Sequence, residues 1–204
     1  MTSPPIGDLD LARMVGLRLC HDLGGVVGTI ANALDMMGGA GGEAAALAQD
    51  AAEVLRRRLV LWRAMLGGQG EATLGETLAL LEGQLAGGRA VAETGSLDPA
   101  LRLAEPTVPV LLAAMLMGGE ALPRGGRVRL AGDPARDLAI WPEGQRAAWP
   151  PALIRALAGE MPPDPMGREV TVVLLCRVAA AAGVRLSIAM PPGQDVGPLL
   201  LTFS

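Results

Sequence analysis

The 204-residue chain contains no lysine and no tyrosine, a single histidine, a single phenylalanine and two cysteines. Each scarcity removes a class of chemistry. Without lysine there is no Walker-A lysine, no Schiff-base lysine and no lysine general base; all 17 basic residues are arginine. Without tyrosine, an aromatic platform for single-stranded nucleic acid is not expected. A net charge of −4 argues the same way, against nucleic acid as a partner. Cys20 and Cys176 suit neither a disulfide framework nor a zinc site, so a reduced, cytoplasmic setting is the expectation. The segment Met1-Thr2-Ser3-Pro4-Pro5 lacks the basic start and apolar run of a signal peptide. The most apolar stretch, Val108 to Met117, is far short of the roughly 20 residues that cross a bilayer, so no membrane partner is expected. Half of the residues are hydrophobic, enough for the core of one medium domain or two small ones.

What is present begins at the one histidine. His21 sits in Arg18-Leu19-Cys20-His21-Asp22-Leu23-Gly24-Gly25-Val26-Val27-Gly28-Thr29-Ile30. The positions Ala12, Gly16, Leu19, Leu23, Val26, Ile30, Ala33 and Met37 alternate steps of four and three, the spacing of a heptad seam on a helix. With Leu19 at d and Leu23 at a, His21 falls at f, farthest from the seam. Gly24, Gly25 and Gly28 share that outer half, and each costs about 0.5–1 kcal/mol relative to alanine inside a helix. Three such glycines beside the one imidazole leave a bare surface on which another molecule can come close.

Asp8 or Asp10 can cap this helix, which is expected to run to about Met37. Gly38-Gly39-Ala40-Gly41-Gly42 reads as a turn, and a second helix is expected from Glu43 to about Leu66, ended by Gly67-Gly68-Gln69-Gly70. Leu47, Ala51, Val54, Leu55, Leu59, Trp62 and Leu66 are its residues available for burial. Such a hairpin leaves an apolar flank uncovered, and pairing of two copies into a four-helix bundle is the natural solution. Further on, helices are expected over Thr73–Leu85, Thr107–Leu122, Pro151–Gly159 and Arg168–Ala182. Strands are expected over Arg89–Glu93, Arg127–Leu130, Asp137–Trp141, Val184–Met190 and Pro198–Phe203. The fold class is therefore α+β: a helical hairpin over residues 1–68, then a small, mostly antiparallel α/β sandwich over 71–204.

This layout resembles histidine-kinase cores, and in detail the ChpT-like histidine phosphotransferases of alphaproteobacteria. The similarity spans nearly the whole chain. It is strongest at Arg18-Leu19-Cys20-His21-Asp22-Leu23, continuing to Ile30, Asn32 and Leu34, and again from Val110-Leu111-Leu112 to Glu120-Ala121-Leu122-Pro123-Arg124-Gly125-Gly126. The resemblance implies a homodimer with a central four-helix bundle and a sandwich descended from a kinase ATP-binding domain. It implies a phosphorelay in which a response-regulator receiver hands its phosphoryl group to His21, which passes it to another receiver. The chemistry suits an imidazole, whose ordinary pKa of about 6.5 leaves it largely a neutral nucleophile at cellular pH. The receiver would supply the Mg²⁺, and this chain no cofactor and no metal site.

Asp22 reads either as the carboxylate that fixes the imidazole tautomer or as a solvated charge. Arg18 reads either as a contact for the phosphoryl group or an acidic receiver surface, or as an ordinary surface arginine. Gly24, Gly25 and Gly28 complete the expected receiver-docking face. Arg56-Arg57-Arg58 reads as the solvated side of the second helix, with a supporting role in docking as the alternative. A Cys20–His21 thiol dyad is disfavoured, because adjacent helical residues point apart. The family usually carries Ser-Pro where this chain has Gly25-Val26, which bears on the local bend of the helix and predicts weak phosphatase activity at most. Kinase activity is not expected: the helix from Val110 to Glu120 has no Asn to hold Mg²⁺, and Trp141-Pro142-Glu143-Gly144 is not D-x-G-x-G. Two other readings compete: a non-catalytic dimeric adaptor that binds receivers, and a small-molecule sensor using the sandwich as a pocket.

Overall fold

A computed structural model describes residues 6–36, 41–67, 70–162 and 165–203. By internal contact the chain divides into two units, residues 6–62 and 63–204. The first is built from α1 (Asp8–Met36) and most of α2 (Gly41–Met65). Asp8 and Asp10 lie inside the first turn of α1, where their charge complements the helix dipole. The expected turn at 38–42 falls partly outside the described residues. Where it is described, Gly41 and Gly42 already belong to α2, two residues ahead of the expected start. Within the hairpin Val15, Ala33, Ala44 and Ala51 are buried, while Leu19, Leu23, Val26 and Ile30 are half-covered. Helix α1 continues unbroken through Gly25-Val26, where the family's proline would bend it.

The second unit contains a five-stranded sheet in the order β2-β4-β5-β7-β6, formed by β2 (Ala90–Glu93), β4 (Gly126–Asp133), β5 (Asp137–Glu143), β6 (Val184–Ile188) and β7 (Leu199–Phe203). Only the β2–β4 pair is parallel; the other three pairs are antiparallel. Alternation along the strands sends Val128, Leu130, Leu138, Ile140, Leu199 and Leu201 into the core. The helices α3 (Leu74–Ala79), α4 (Thr107–Glu120), α5 (Pro151–Leu157) and α6 (Glu169–Ala181) complete the unit. The expected α+β mixture is therefore observed.

Helix α4 is buried nearly all round. It approaches the sheet closely because of one glycine: a Cβ on Gly118 would lie 2.5 Å from Cγ1 of Val128. At its end the Pro123-Arg124-Gly125-Gly126 turn has a steric cause. Gly125 and Gly126 both adopt positive φ, and a Cβ on either would run into a backbone carbonyl, of Arg89 and of Glu143 respectively. The motif thus brings β2, β4 and β5 together.

One local expectation is corrected, and one short ladder was not foreseen. The helix expected over Thr73–Leu85 begins with a capping box between Thr73 and Glu76 but ends at Ala79. Beyond it Ala86, Gly87 and Gly88 take left-handed backbone, which no helix continues. A two-residue ladder, β1 (Ala72–Thr73) against β3 (Arg102–Leu103), was too short to announce itself by alternation.

Candidate functional site

The site is built on the outer side of α1. The His21 side chain is 83% exposed. A Cβ placed on Gly24, Gly25 or Gly28 would meet nothing within 4 Å. Packing within the chain therefore gives no reason for these glycines, and the helix tolerates their propensity cost on an open surface. His21 and the three glycines are thus brought to one exposed face.

Asp22 lies differently, with its side chain only 19% exposed. Its Oδ2 accepts a hydrogen bond from Arg18 Nε at 2.8 Å, an ion pair one turn apart on the helix. Its Oδ1 lies 3.4 Å from Nδ1 of His21, a long contact that nonetheless assigns the two ring nitrogens different surroundings. In the tautomer protonated at Nδ1, the N–H is directed at the carboxylate and Nε2 carries the lone pair. The same residue's carbonyl accepts from Nη1 of Arg58 on α2 at 2.6 Å. Arg18 is thus an ion-pair partner of Asp22 and half-covered, more than a free surface cation.

Arg58 is the residue that the sequence reading missed. The run Arg56-Arg57-Arg58 reads in sequence as one solvated side, or as a support for docking, without separating its members, yet they part company. Arg56 and Arg57 both hydrogen-bond Glu53, and these bonds, that of Arg56 foremost, hold the Glu53 carboxyl down at about 2. Arg58 instead turns inward and crosses to α1. The signal was available: Ala44, Ala51 and Arg58 are seven residues apart, on the stripe that faces the other helix.

Between the helices runs an open groove of about 640 Å³. His21, Gly25, Val26 and Thr29 form one wall, and Leu47, Val54 and Arg58 contribute to the other. Thr29 Oγ1 donates back to the Gly25 carbonyl at 3.1 Å. The second unit has a smaller cavity of about 380 Å³ lined by Met117, Trp149, Pro150 and Val172, with the Arg168–Glu120 ion pair at its rim. Cys20 is exposed, and no hydrogen bond joins its thiol to His21 among the described residues. Burial pushes the Cys176 thiol up, away from the reactive thiolate. Among the described residues no group of three or more His, Cys, Asp and Glu side chains stands together to hold a metal ion. Among the same residues no helix is long and apolar enough to cross a membrane.

An exposed imidazole beside a carboxylate on a helical hairpin, in a chain that also carries a small α/β sandwich, is a layout that histidine phosphotransferases share with histidine-kinase cores. The comparisons distinguish the two at the level of the family. Residues 74–194 match the family described as histidine phosphotransferase C-terminal domain. The protein phosphotransferase ChpT of Brucella abortus (strain 2308) is 30% identical over 190 residues, covering 88% of this chain and 90% of that protein. A solved bacterial phosphotransferase, at 1.7 Å resolution, shares the fold with a TM-score of 0.76 and 24% identity, over 98% of each chain. The chain belongs to the ChpT-like histidine phosphotransferase family.

Proposed function

We propose that His21 is the phosphoryl acceptor of a phosphorelay, taking a phosphoryl group from the aspartate of one response-regulator receiver and passing it to another. The observation that carries this reading is the exposed imidazole on a glycine-bare face, with Nδ1 turned to Asp22 and Nε2 outward. In the forward step Nε2 attacks the phosphorus in line. The N–P bond forms, the O–P bond to the receiver's aspartate breaks, and that carboxylate leaves with the electron pair. The Nδ1 proton stays in place, and Asp22 stabilises the positive charge the ring acquires. Positioning and charge neutralisation do most of the work in such transfers. The receiver's own Mg²⁺ belongs to the donor and acceptor, and this chain supplies the nucleophile and the surface.

Gly24, Gly25 and Gly28 are read as the approach surface for the receiver. The residues 71–204 are read as a kinase-like domain that neither binds ATP nor phosphorylates His21. Gly118 and Gly119 support this, because they press α4 against β4 and against Leu85-Ala86, leaving no side chain there for a nucleotide. We also assign a homodimer with a four-helix bundle, in the cytoplasm. Val27 and Leu34 on α1 and Ala52 and Leu59 on α2 are exposed and seven residues apart within each pair. Helix periodicity places both pairs on the flank opposite the groove, where a second copy would cover them. Substituting Val27→Asp is expected to give a monomer by light scattering.

The test is transfer of label from a panel of phosphorylated receivers to wild type and His21→Ala. Acid-labile label on the wild type, and none on the variant, supports the relay. Binding of receivers to both proteins with transfer to neither would make the chain an adaptor.

A further inference from the structure

We propose that Arg58 is a positioning residue for phosphoryl transfer, presenting the positive charge that draws the phosphoryl group into the groove beside His21. The inference rests on the phosphotransfer reading of His21 and adds a residue to it. Of the five arginines in residues 6–62, four are committed to carboxylates: Arg13 to Asp10, Arg18 to Asp22, and Arg56 and Arg57 to Glu53. Among the described residues Arg58 has no carboxylate partner. Its one bond, from Nη1 to the carbonyl of Asp22, is to a neutral acceptor and leaves the guanidinium charge uncompensated.

The location gives that charge a use. Arg58 lines the same groove as His21, and its anchor is the carbonyl of Asp22, the residue that follows His21. The other acid on that wall, Asp50, lies eight residues earlier along α2, about 12 Å away along the helix axis. Asp22 is already neutralised by Arg18. A guanidinium has five N–H donors in a rigid fork, so four remain after the anchoring bond. These match the oxygens of a phosphoryl group, which a planar fork binds with both charge and direction. Arg18, the cation first considered for this task, has its Nε occupied by Asp22 and is the weaker candidate.

The experiment compares transfer kinetics of wild type, Arg58→Gln and Arg58→Lys from one phosphorylated receiver, with His21→Ala as the blank and a thermal melt of each protein. Arg58→Gln is expected to slow the maximal rate about tenfold or more, with half-saturation by receiver unchanged, and Arg58→Lys to recover at least a third of the wild-type rate. Three results would overturn the proposal: Arg58→Gln within twofold of wild type, a raised half-saturation with the maximal rate intact, or Arg58→Lys as slow as Arg58→Gln. Should Arg58→Gln not fold, Arg58→Lys alone decides, since it keeps the charge and a donor for the Asp22 carbonyl. A rate within threefold of wild type supports the assignment, and a larger loss rejects it. Absence of label on the wild type itself would instead refute the phosphotransfer reading beneath.

Discussion

Helices α1 and α4 each carry an adjacent glycine pair, Gly24-Gly25 and Gly118-Gly119, and the two pairs exist for opposite reasons. In α4 the missing side chains are filled by the protein itself: Val128 and Ile140 crowd Gly118, and Leu85 and Ala86 crowd Gly119. In α1 nothing occupies the space. Glycine weakens both helices by a similar amount. In α4 close packing on the sheet returns that loss, whereas in α1 no contact within the chain does so. A surface left bare at a cost to the helix, with the one imidazole on it, is what the proposed docking of a receiver requires.

The comparison is broken most sharply by filling the open pair. Gly25→Leu is expected to leave the fold intact and to cut transfer from a receiver about 100-fold, the cost of holding reacting groups even about 1 Å off line. A thermal melt beside the transfer assay checks both halves. Next in size is the buried pair. Gly118→Ala is expected to destabilise by about 1–3 kcal/mol, because the stiff, β-branched Val128 cannot turn aside, and urea unfolding measures it. The same small substitution has the opposite sign on α1. Gly24→Ala and Gly28→Ala are each expected to stabilise by about 0.5–1 kcal/mol, read in the same titration, while slowing transfer. Loss of stability in either would remove the contrast on which the site rests.

The smallest effect concerns the solvated side of α2. The Glu53 carboxyl is depressed from 4.5 to about 2 in the folded chain. Its contribution is therefore complete above about pH 4.5 and fades as the pH falls through about 2. Arg56→Gln with Arg57→Gln should lower stability slightly at neutral pH, leave it unchanged below about pH 2, and so flatten the acid limb between, as acid titration of the helical circular dichroism would show.

The site was legible in the sequence to the extent that a helix is periodic. The spacing from Leu19 to Ala33 placed His21 and the glycines outside without any structure. Arg58 was not legible as read, because its two solvated neighbours, Arg56 and Arg57, concealed that it alone continues the stripe of Ala44 and Ala51. Charge in a run is a weaker guide than position on the helix. In the sandwich, long elements such as α4, β4 and β5 were readable from apolar content and alternation. The early end of α3 was not: Gly83 and, further on, Ala86 take positive φ, and Ala86 sits against Gly119, remote in sequence. The glycines of α4 were read only as the absence of a kinase asparagine, whereas their packing role depends on Val128 and Leu85, remote in sequence.

The central claim is that the Nε2 of His21 takes the phosphoryl group from a receiver. Phosphorus NMR of the full chain at alkaline pH, after exchange with a phosphorylated receiver, reads this directly. One phosphohistidine resonance is expected, assigned to Nε2 and absent in His21→Ala. Phosphate on an aspartate of this chain, a resonance that survives His21→Ala, or a receiver that binds and keeps its phosphate would contradict it.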